Sequence, residues 1–218
     1  MDNIIRLNLD VMDKYDPKHR VGLIVDEWGT WYNVEPGTNP GFLYQQNTMR
    51  DAMVAAINLN IFNSHADRVV MANLAQTVNV LQAVVLTEGD QLVLTPTYHV
   101  FDLYKNHQDA TLVPVTVACD VVEGVQQVTA SASVKENVLT ITAANIAADK
   151  AEKVVLDIAN FDAKNVSVRI LAGQMDALNT FENQHAVEIA DFSDCEVTEE
   201  GVVLNMPACS VVEVTVRA

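Results

Sequence analysis

Cysteine is scarce in this sequence, with three residues in 218, at Cys119, Cys195 and Cys209. They are odd in number, widely spaced and form no CxxC pair, so they predict neither a disulfide framework nor a cysteine metal site. We expect buried or incidental thiols. No other pattern in the sequence predicts a metal ion or an organic cofactor.

Basic residues and long apolar runs are also few. Lys and Arg number 13 against 29 Asp and Glu, a formal net charge of −16. Such a surface repels polyanions, so we expect neither nucleic acid nor an anionic membrane as a partner, whereas a neutral sugar is compatible with it. No run approaches a membrane span, and residues 1–20 are charged throughout, so we expect no secretory signal. The compartment stays open, with the cytoplasm favoured over the periplasm or secretion.

The most informative stretch is a short apolar run, Gly22–Val25, that ends in Asp26, Glu27 and Trp28. Apolar and β-branched residues without polar alternation are typical of a strand buried on both faces, as in a parallel sheet. In a (β/α)₈ barrel the carboxyl ends of the strands form the active-site face, so a carboxylate there predicts a catalytic role. The alternative is a structural acid at Glu27, held by an arginine or a backbone N–H.

Residues 1–107 alternate between helical and buried-strand patterns. The predicted elements are a helix over 2–15, a strand over 21–25, a helix that begins between residues 40 and 48, a strand over 66–72 and a helix over 98–106. The sequence therefore begins partway through a helix–strand series. A complete barrel needs about 250 residues, so we expect only its closing portion here, with Met1 at the start of a fragment or a truncated gene.

Amide side chains follow the second predicted strand, at Gln76 and Asn79. Each sugar hydroxyl needs a donor and an acceptor, and amides supply both. The alternative is that these amides satisfy loop backbone groups. From the residues alone we favour that alternative for Asn79 and leave Gln76 open.

From about residue 112 the apolar period changes to two, which is typical of strands. The alternating runs lie at 113–117, 128–134, 138–142, 154–158, 166–171, 186–189, 202–204 and 211–216. Short strands separated by Asn, Asp and Gly predict an antiparallel β-sandwich. The expected fold is α/β plus all-β: the closing part of a (β/α)₈ barrel over 1–107, followed by a β-sandwich over 108–218.

The Asp26–Trp28 segment, followed by Trp31 and Tyr32, resembles the nucleophile segment of the family 51 α-L-arabinofuranosidases. Three later segments strengthen the resemblance and occur in that family's order: 65–70 (HADRVV), 74–80 (LAQTVNV) and 179–183 (NTFEN). The resemblance covers essentially the whole sequence, but only the C-terminal part of the family's full chain.

The resemblance implies a retaining glycosidase, which uses two carboxyl groups roughly 5–5.5 Å apart. Glu27 is then the nucleophile, and Trp31 covers the apolar face of the sugar. Gln76 falls where the family binds a sugar hydroxyl, and Leu43 falls where it lines the pocket. Asp26 takes a supporting role at most, because neighbouring side chains on a strand point in opposite directions.

The sequence departs from the family at the second carboxyl group. The family's acid/base glutamate follows an Asn on an earlier strand, and no Asn-Glu pair precedes residue 27 here. Glu35 lies in a different sequence context. The resemblance therefore implies half a catalytic pair, with the acid/base outside this chain, and a fragment inactive alone.

The resulting hypothesis is an arabinofuranosidase that releases terminal arabinofuranosyl residues from arabinose-containing hemicellulose or pectin, in L-arabinose and carbohydrate metabolism. Its partner is an arabinose-containing oligo- or polysaccharide, and we expect the full-length enzyme to be a homo-oligomer. Alternatives are another retaining glycosidase of the same barrel type, or a non-catalytic sandwich for carbohydrate binding or assembly. Binding sandwiches present aromatic platforms, and neither tryptophan lies beyond residue 31.

Overall fold

The computed structural model describes residues 1–122, 124–159, 165–199 and 201–217; positions 123, 160–164, 200 and 218 of the predicted 108–218 domain lie outside the described residues. The helices are α1 (Asp2–Tyr15), α2 (Met49–Ser64) and α3 (Pro96–Tyr104). The first strands are β1 (Leu23–Trp28), β2 (Val69–Leu74), β3 (Val85–Glu88) and β4 (Gln91–Leu94). The later strands are β5 (Thr111–Val113), β6 (Val121–Val122), β7 (Val125–Gln126), β8 (Val128–Lys135), β9 (Val138–Asn145), β10 (Glu152–Leu156), β11 (Asn165–Ala172), β12 (Ile189–Asp191), β13 (Cys195–Thr198), β14 (Gly201–Met206) and β15 (Ser210–Arg217).

Helix α1 confirms the helix predicted over residues 2–15. It ends before Asp16, because the residue that precedes a proline disfavours the helical region. Ile5 is buried, whereas Leu7 and Val11 are exposed. The helix thus leaves part of its apolar surface uncovered.

Strands β1 and β2 pair in parallel, as predicted, with Leu23 opposite Val69 and Val25 opposite Ala72. Arg68 ties the start of this pair to the end of α1. Its guanidinium donates to the Asp16 carboxylate and to the carbonyl of Val21, both at 3.1 Å.

Two details of the β1 prediction are wrong. The strand continues to Trp28, so Asp26 and Glu27 lie within it. It is not buried on both faces, since Ile24 is 48% exposed and Met71 on β2 is 53% exposed. Among the described residues β1 and β2 pair only with each other, so no further strand or helix covers these side chains. The described part of the chain contains no closed barrel.

Helix α2 begins where a side-chain cap forms. Thr48 precedes the first turn, and its backbone N–H donates to the Asp51 carboxylate at 2.8 Å in a capping box. Met49 and Met53, four residues apart on one face of this helix, are buried in the core. Between β2 and α3 the chain forms a hairpin, β3–β4, that the sequence patterns did not predict.

The antiparallel β-sandwich is confirmed. Over the described residues, one sheet has six strands in the order β12-β11-β15-β9-β8-β5, and the other has three in the order β10-β14-β13. Apolar side chains from both sheets, such as Ile141, Val212 and Leu204, form the core between them. The strand predicted over 113–117 is wrong, because β5 covers Thr111–Val113 and shares only Val113 with it. The strand ends there before Pro114, which cannot donate to a ladder.

Helices α2 and α3 pack on the outer face of the six-stranded sheet. One apolar cluster joins α2 and α3 to Ala144, Leu171 and Val211 of that sheet. The Asn60 side-chain oxygen of α2 accepts hydrogen bonds from Ser131 at 2.8 Å and from Tyr104 at 2.9 Å. The division into domains 1–107 and 108–218 stays a prediction, and contact across that boundary is extensive.

His107 lies in this interface as a packing histidine. Its ring nitrogens bond the hydroxyls of Ser133 at 2.7 Å and Thr142 at 3.0 Å. Burial lowers the pKa of His107 to about 4, because the charged ring would lose its hydration.

We therefore expect acid to destabilise the fold through His107. The pKa of an unfolded histidine is about 6.5. Between that pH and about 4 the unfolded chain binds more protons, so stability falls as the pH falls through this window, by at most about 3 kcal/mol. His107→Gln should flatten the decline in Tm from pH 7 to 4. His185→Gln, at an exposed side chain, is the control, and identical slopes for wild type and His107→Gln would contradict the account.

Candidate functional site

The carboxyl ends of β1 and β2 form one edge of the structure. Trp28 lies opposite Leu74 in the parallel register, and the Trp28 carbonyl accepts the Ala75 N–H at 2.9 Å. This pairing brings the segments that follow both strands to the same edge, including Trp31 and Gln76. The side chains of Glu27, Trp31 and Gln76 are all exposed.

A bulge occurs in β1 at the two carboxylates. Val25 lies opposite Ala72 and Trp28 opposite Leu74, so β1 has one more residue than β2 in this interval. Such an extra residue breaks the regular alternation and redirects the side chains within it. The residues inside the bulge are Asp26 and Glu27.

Trp28 anchors the end of β1 to the helices. Its indole is 5% exposed. It packs edge-on against Phe62 of α2 at 5.2 Å and is stacked with Phe101 of α3 at 6.2 Å between ring centroids. The residue next to Glu27 is therefore fixed in the core.

Glu27 shows none of the contacts expected of a structural acid. In the described part of the chain, no arginine, lysine or backbone N–H contacts its carboxylate. The alternative of a strand-end acid held by such a group finds no support. Its catalytic role stays a prediction.

Two buried glutamines hydrogen-bond to the backbone of the loop that follows β1. The Thr30 N–H donates to the Gln82 side-chain oxygen, and the Tyr32 N–H donates to the Gln45 side-chain oxygen, both at 2.9 Å. Trp31 lies between these anchored residues, and its ring is 68% exposed. The backbone is thus fixed where the side chain is open to solvent.

Asp51 connects this loop to α2. Its carboxylate accepts the Thr30 hydroxyl at 2.7 Å and is fully buried. Arg50 donates to the same carboxylate at 3.2 Å, and its guanidinium lies 3.8 Å from the centre of the Tyr32 ring. Gln45, Asp51 and Gln82 were not predicted from the sequence. The Thr-x-x-Asp spacing of the capping box was the one available signal, and it indicates a helix start.

The other predicted site residues have distinct surroundings. Leu43 adopts φ 52° and its carbonyl accepts the Leu81 N–H at 3.0 Å. The Gln76 carbonyl accepts the Val84 N–H at 3.2 Å, and its side chain makes no hydrogen bond within the described residues. Gln76 remains a candidate for binding a sugar hydroxyl.

Asn79 has the structural role that the residues favoured. Its side-chain oxygen accepts the Thr87 N–H at 2.7 Å, and its amide donates to the Thr87 carbonyl at 3.1 Å. Asn179 is similar: 2% exposed, it accepts the Val187 N–H and donates to the carbonyls of Leu94 and Val187. Both amides hold loops in place.

Glu35 lies beside Tyr44 in the loop that precedes α2. Its N–H donates to the Tyr44 carbonyl at 2.9 Å. Burial, together with the negative charge of Glu35, raises the pKa of the Tyr44 hydroxyl. No described contact links Glu35 to Glu27.

A cavity of about 650 Å³ lies away from this edge, between the two sheets of the sandwich. It is lined mainly by apolar side chains of β8, β9 and β10, and none of the predicted site residues borders it. The three cysteines are free. Among the described residues no cluster of His, Cys, Asp and Glu could hold a metal ion, and no helix is long and apolar enough to span a membrane.

Solved structures place this architecture among glycoside hydrolases. The chain superposes with TM-score 0.94 on the GH51 arabinofuranosidase from Xanthomonas axonopodis pv. citri, at 44% identity, over 100% of this chain and 45% of that one. The α-L-arabinofuranosidase from Thermotoga maritima, solved with arabinose, gives a TM-score of 0.82 at 27% identity, over 96% and 45% of the two chains.

The family follows from sequence comparison. The model of the alpha-L-arabinofuranosidase C-terminal domain matches residues 26–210, and the chain belongs to this family. It is 40% identical over 97% of its length to an intracellular exo-alpha-L-arabinofuranosidase of Bacteroides ovatus, of which it covers 43%. The chain thus spans less than half the length of the relatives it matches, and the resemblance stated from its motifs is confirmed.

We expect Gly29→Ala to destabilise the loop after β1. Gly29 adopts φ 131°, and an added Cβ would lie 3.1 Å from the Gln82 side-chain oxygen and 3.2 Å from Leu74. Backbone strain at a positive φ costs about 1–3 kcal/mol, and the close approach adds to this cost at Gly29. Urea unfolding should therefore show a larger loss of unfolding free energy for Gly29→Ala than for Gly37→Ala. Gly37→Ala is the matched control, because Gly37 has φ 83° with open space around its Cβ position. Equal losses in both variants would show that the close approach has no effect.

Proposed function

We propose that this chain is the C-terminal portion of a retaining α-L-arabinofuranosidase. The observation that carries the proposal is the shared edge of β1 and β2, where Glu27, Trp31 and Gln76 are exposed at the carboxyl ends of two parallel strands. Family membership supports it, as do the names of the relatives. The substrate is an arabinose-containing hemicellulose or pectin oligosaccharide with terminal arabinofuranosyl residues.

Uncovered apolar surface supports the view that β1 and β2 are the closing strands of a (β/α)₈ barrel. Exposed large apolar residues cluster on α1, β1 and β2, at Ile4, Leu7, Val11, Ile24, Val70 and Met71. Large apolar side chains that are exposed on these three elements favour an interface there. Further helix–strand units would cover it and pair with the free edges of both strands. Residues 1–107 then belong to the barrel and 108–218 form the sandwich domain.

Glu27 acts as the nucleophile in this proposal. Its carboxylate attacks the anomeric carbon while the glycosidic C–O bond breaks, and a second carboxyl group gives its proton to the leaving oxygen. The same group then removes a proton from water, which attacks the anomeric carbon and releases Glu27. The anchored position of Trp28 supports this role, since a nucleophile must be aimed rigidly.

The loop residues supply sugar binding. Trp31 presents an apolar ring to the C–H face of the arabinose, and its exposure supports this use. Gln76 hydrogen-bonds a sugar hydroxyl through its unpaired side chain, and Leu43 lines the pocket wall. A neutral sugar also fits a chain of net charge −16, because it is not repelled.

The whole enzyme is proposed to be intracellular and homo-oligomeric. The names of the Bacteroides ovatus and Bacillus subtilis relatives describe them as intracellular. The alternative of a non-catalytic carbohydrate-binding or assembly module has weaker support, because the sequence has no tryptophan or tyrosine beyond Tyr104 to form a platform on the sandwich.

Replacing Glu27 tests the nucleophile directly. In an enzyme completed with the N-terminal portion of the Xanthomonas axonopodis relative, Glu27→Ala should lower kcat by several orders of magnitude, because the covalent route is lost. Azide or formate should restore part of the turnover of an aryl arabinofuranoside by entering the vacated space. Glu196→Ala, at an exposed residue of β13, is the control. A loss below about tenfold, or 1.4 kcal/mol, would reduce Glu27 to a structural acid.

The chain alone should not hydrolyse an aryl α-L-arabinofuranoside. The proposed acid/base lies outside it, and general acid assistance is worth about 10²–10⁴-fold. The free edges of β1 and β2 should also favour association, visible as oligomers in sedimentation velocity. Robust turnover that Glu27→Gln abolishes would show that a second carboxyl within the chain acts as the acid, and Glu35 would be tested first.

A further inference from the structure

Thr30 is the centre of a buried hydrogen-bond cluster beneath the exposed loop. Its hydroxyl donates to Asp51 at 2.7 Å and accepts from the Gln45 amide at 3.0 Å. Its backbone N–H donates to Gln82 at 2.9 Å. The three partner side chains are at most 1% exposed, so Thr30 is hydrogen-bonded to side chains that are packed in the interior.

The cluster is itself attached to the starts of two helices. The Gln82 amide donates to the Asp51 carbonyl at 2.7 Å and to the hydroxyl of Thr97, in the first turn of α3, at 3.1 Å. The second Asp51 oxygen accepts the Thr48 N–H at the start of α2. Residues on helices and strands are positioned more rigidly than residues on loops. Through Asp51 and Thr97, the helices α2 and α3 here position Thr30, which lies on a loop.

We propose that Thr30, with Asp51, Gln82 and Gln45, is a positioning device for the sugar-binding loop, an inference that rests on the proposed function. The cluster fixes the backbone on both sides of Trp31, through Thr30 and through the Gln45 contact to Tyr32. It also fixes the chain three residues after Glu27. The four residues act through others and do not touch the substrate.

The cluster does more than stabilise the fold. Asp51 caps α2, which is a stabilising role, but burying a carboxylate and two amides is costly unless each group keeps its hydrogen bonds. A satisfied polar network instead selects one conformation. The conformation selected here keeps the Trp31 ring 68% exposed, where it adds little to the core.

Amide hydrogen exchange on the full 218-residue chain tests the device without any substrate. Thr30→Val removes the hydroxyl at similar volume, and we expect exchange at residues 30–32 to accelerate by about tenfold or more, because the anchoring bonds weaken. Thr30→Ser restores the hydroxyl and should return exchange towards wild type. Thr142→Val removes a buried hydroxyl that bonds His107 and Asn60, and should leave residues 30–32 unchanged.

A second variant covers the case in which Thr30→Val does not fold. Gln45→Met keeps the side-chain length, removes the acceptor of the Tyr32 N–H and leaves the Thr30–Asp51 bond intact. It should accelerate exchange at Tyr32 in particular. Unchanged exchange at residues 30–32 in both variants would overturn the proposal.

Kinetics on the completed enzyme separate positioning from simple stability. At a temperature well below Tm, Thr30→Val should raise KM about tenfold through the loosened Trp31, with a smaller fall in kcat, and Thr30→Ser should recover both. If Glu27→Ala inactivates the completed enzyme but Thr30→Val keeps the wild-type kcat and KM, the positioning role is overturned and the proposed function is not. Full activity without Glu27 would overturn the proposed function, and hydrogen exchange would still decide whether the cluster holds the loop.

Discussion

The burial of Trp28 is the constraint on which the site depends. Its indole lies between Phe62 and Phe101, so the end of β1 is fixed by the two helices that also pack on the sandwich. Leu23, Val25, Val69, Ala72 and Leu74 of the parallel pair pack against the same apolar cluster. Trp28 is the residue that extends this packing to the carboxyl end of β1. The carboxylate before Trp28 and the loop after it therefore take their positions from the core, although both are exposed to solvent.

The elements predicted from the sequence are those whose signal is local. The period-two runs gave β8, β9, β11 and β15, and the apolar runs gave the parallel pair. The polar end of β1 was missed because an exposed strand tolerates carboxylates, so the pattern ends before the strand does. The β3–β4 hairpin was missed because strands of four residues carry too little pattern to distinguish them from a loop.

The residues of the candidate site also fall into those predicted from local sequence and those that depend on contacts between distant residues. Glu27 and Trp31 follow an apolar run, and the resemblance added Gln76 and Leu43. The support beneath them could not be predicted, because its contacts join residues far apart in sequence: Thr30 lies 21 positions from Asp51 and 52 from Gln82. The sequence around a glutamine gives no local signal that the side chain will be fully buried.

The contact of Asn60 with the sandwich bears on how such chains can recombine. The side-chain oxygen of Asn60 on α2 accepts hydrogen bonds from three hydroxyls, those of Ser131 on β8, Thr142 on β9 and Tyr104 on α3. A crossover between relatives at residue 107 or 108 would take this acceptor from one parent and two of its donors from the other. The hydrogen bonds would then form only where the second parent has hydroxyls at the positions of Ser131 and Thr142. Exchange of the sandwich together with α2 and α3 keeps the acceptor with its donors, so the exchangeable segment is longer than the 108–218 segment with period-two patterning.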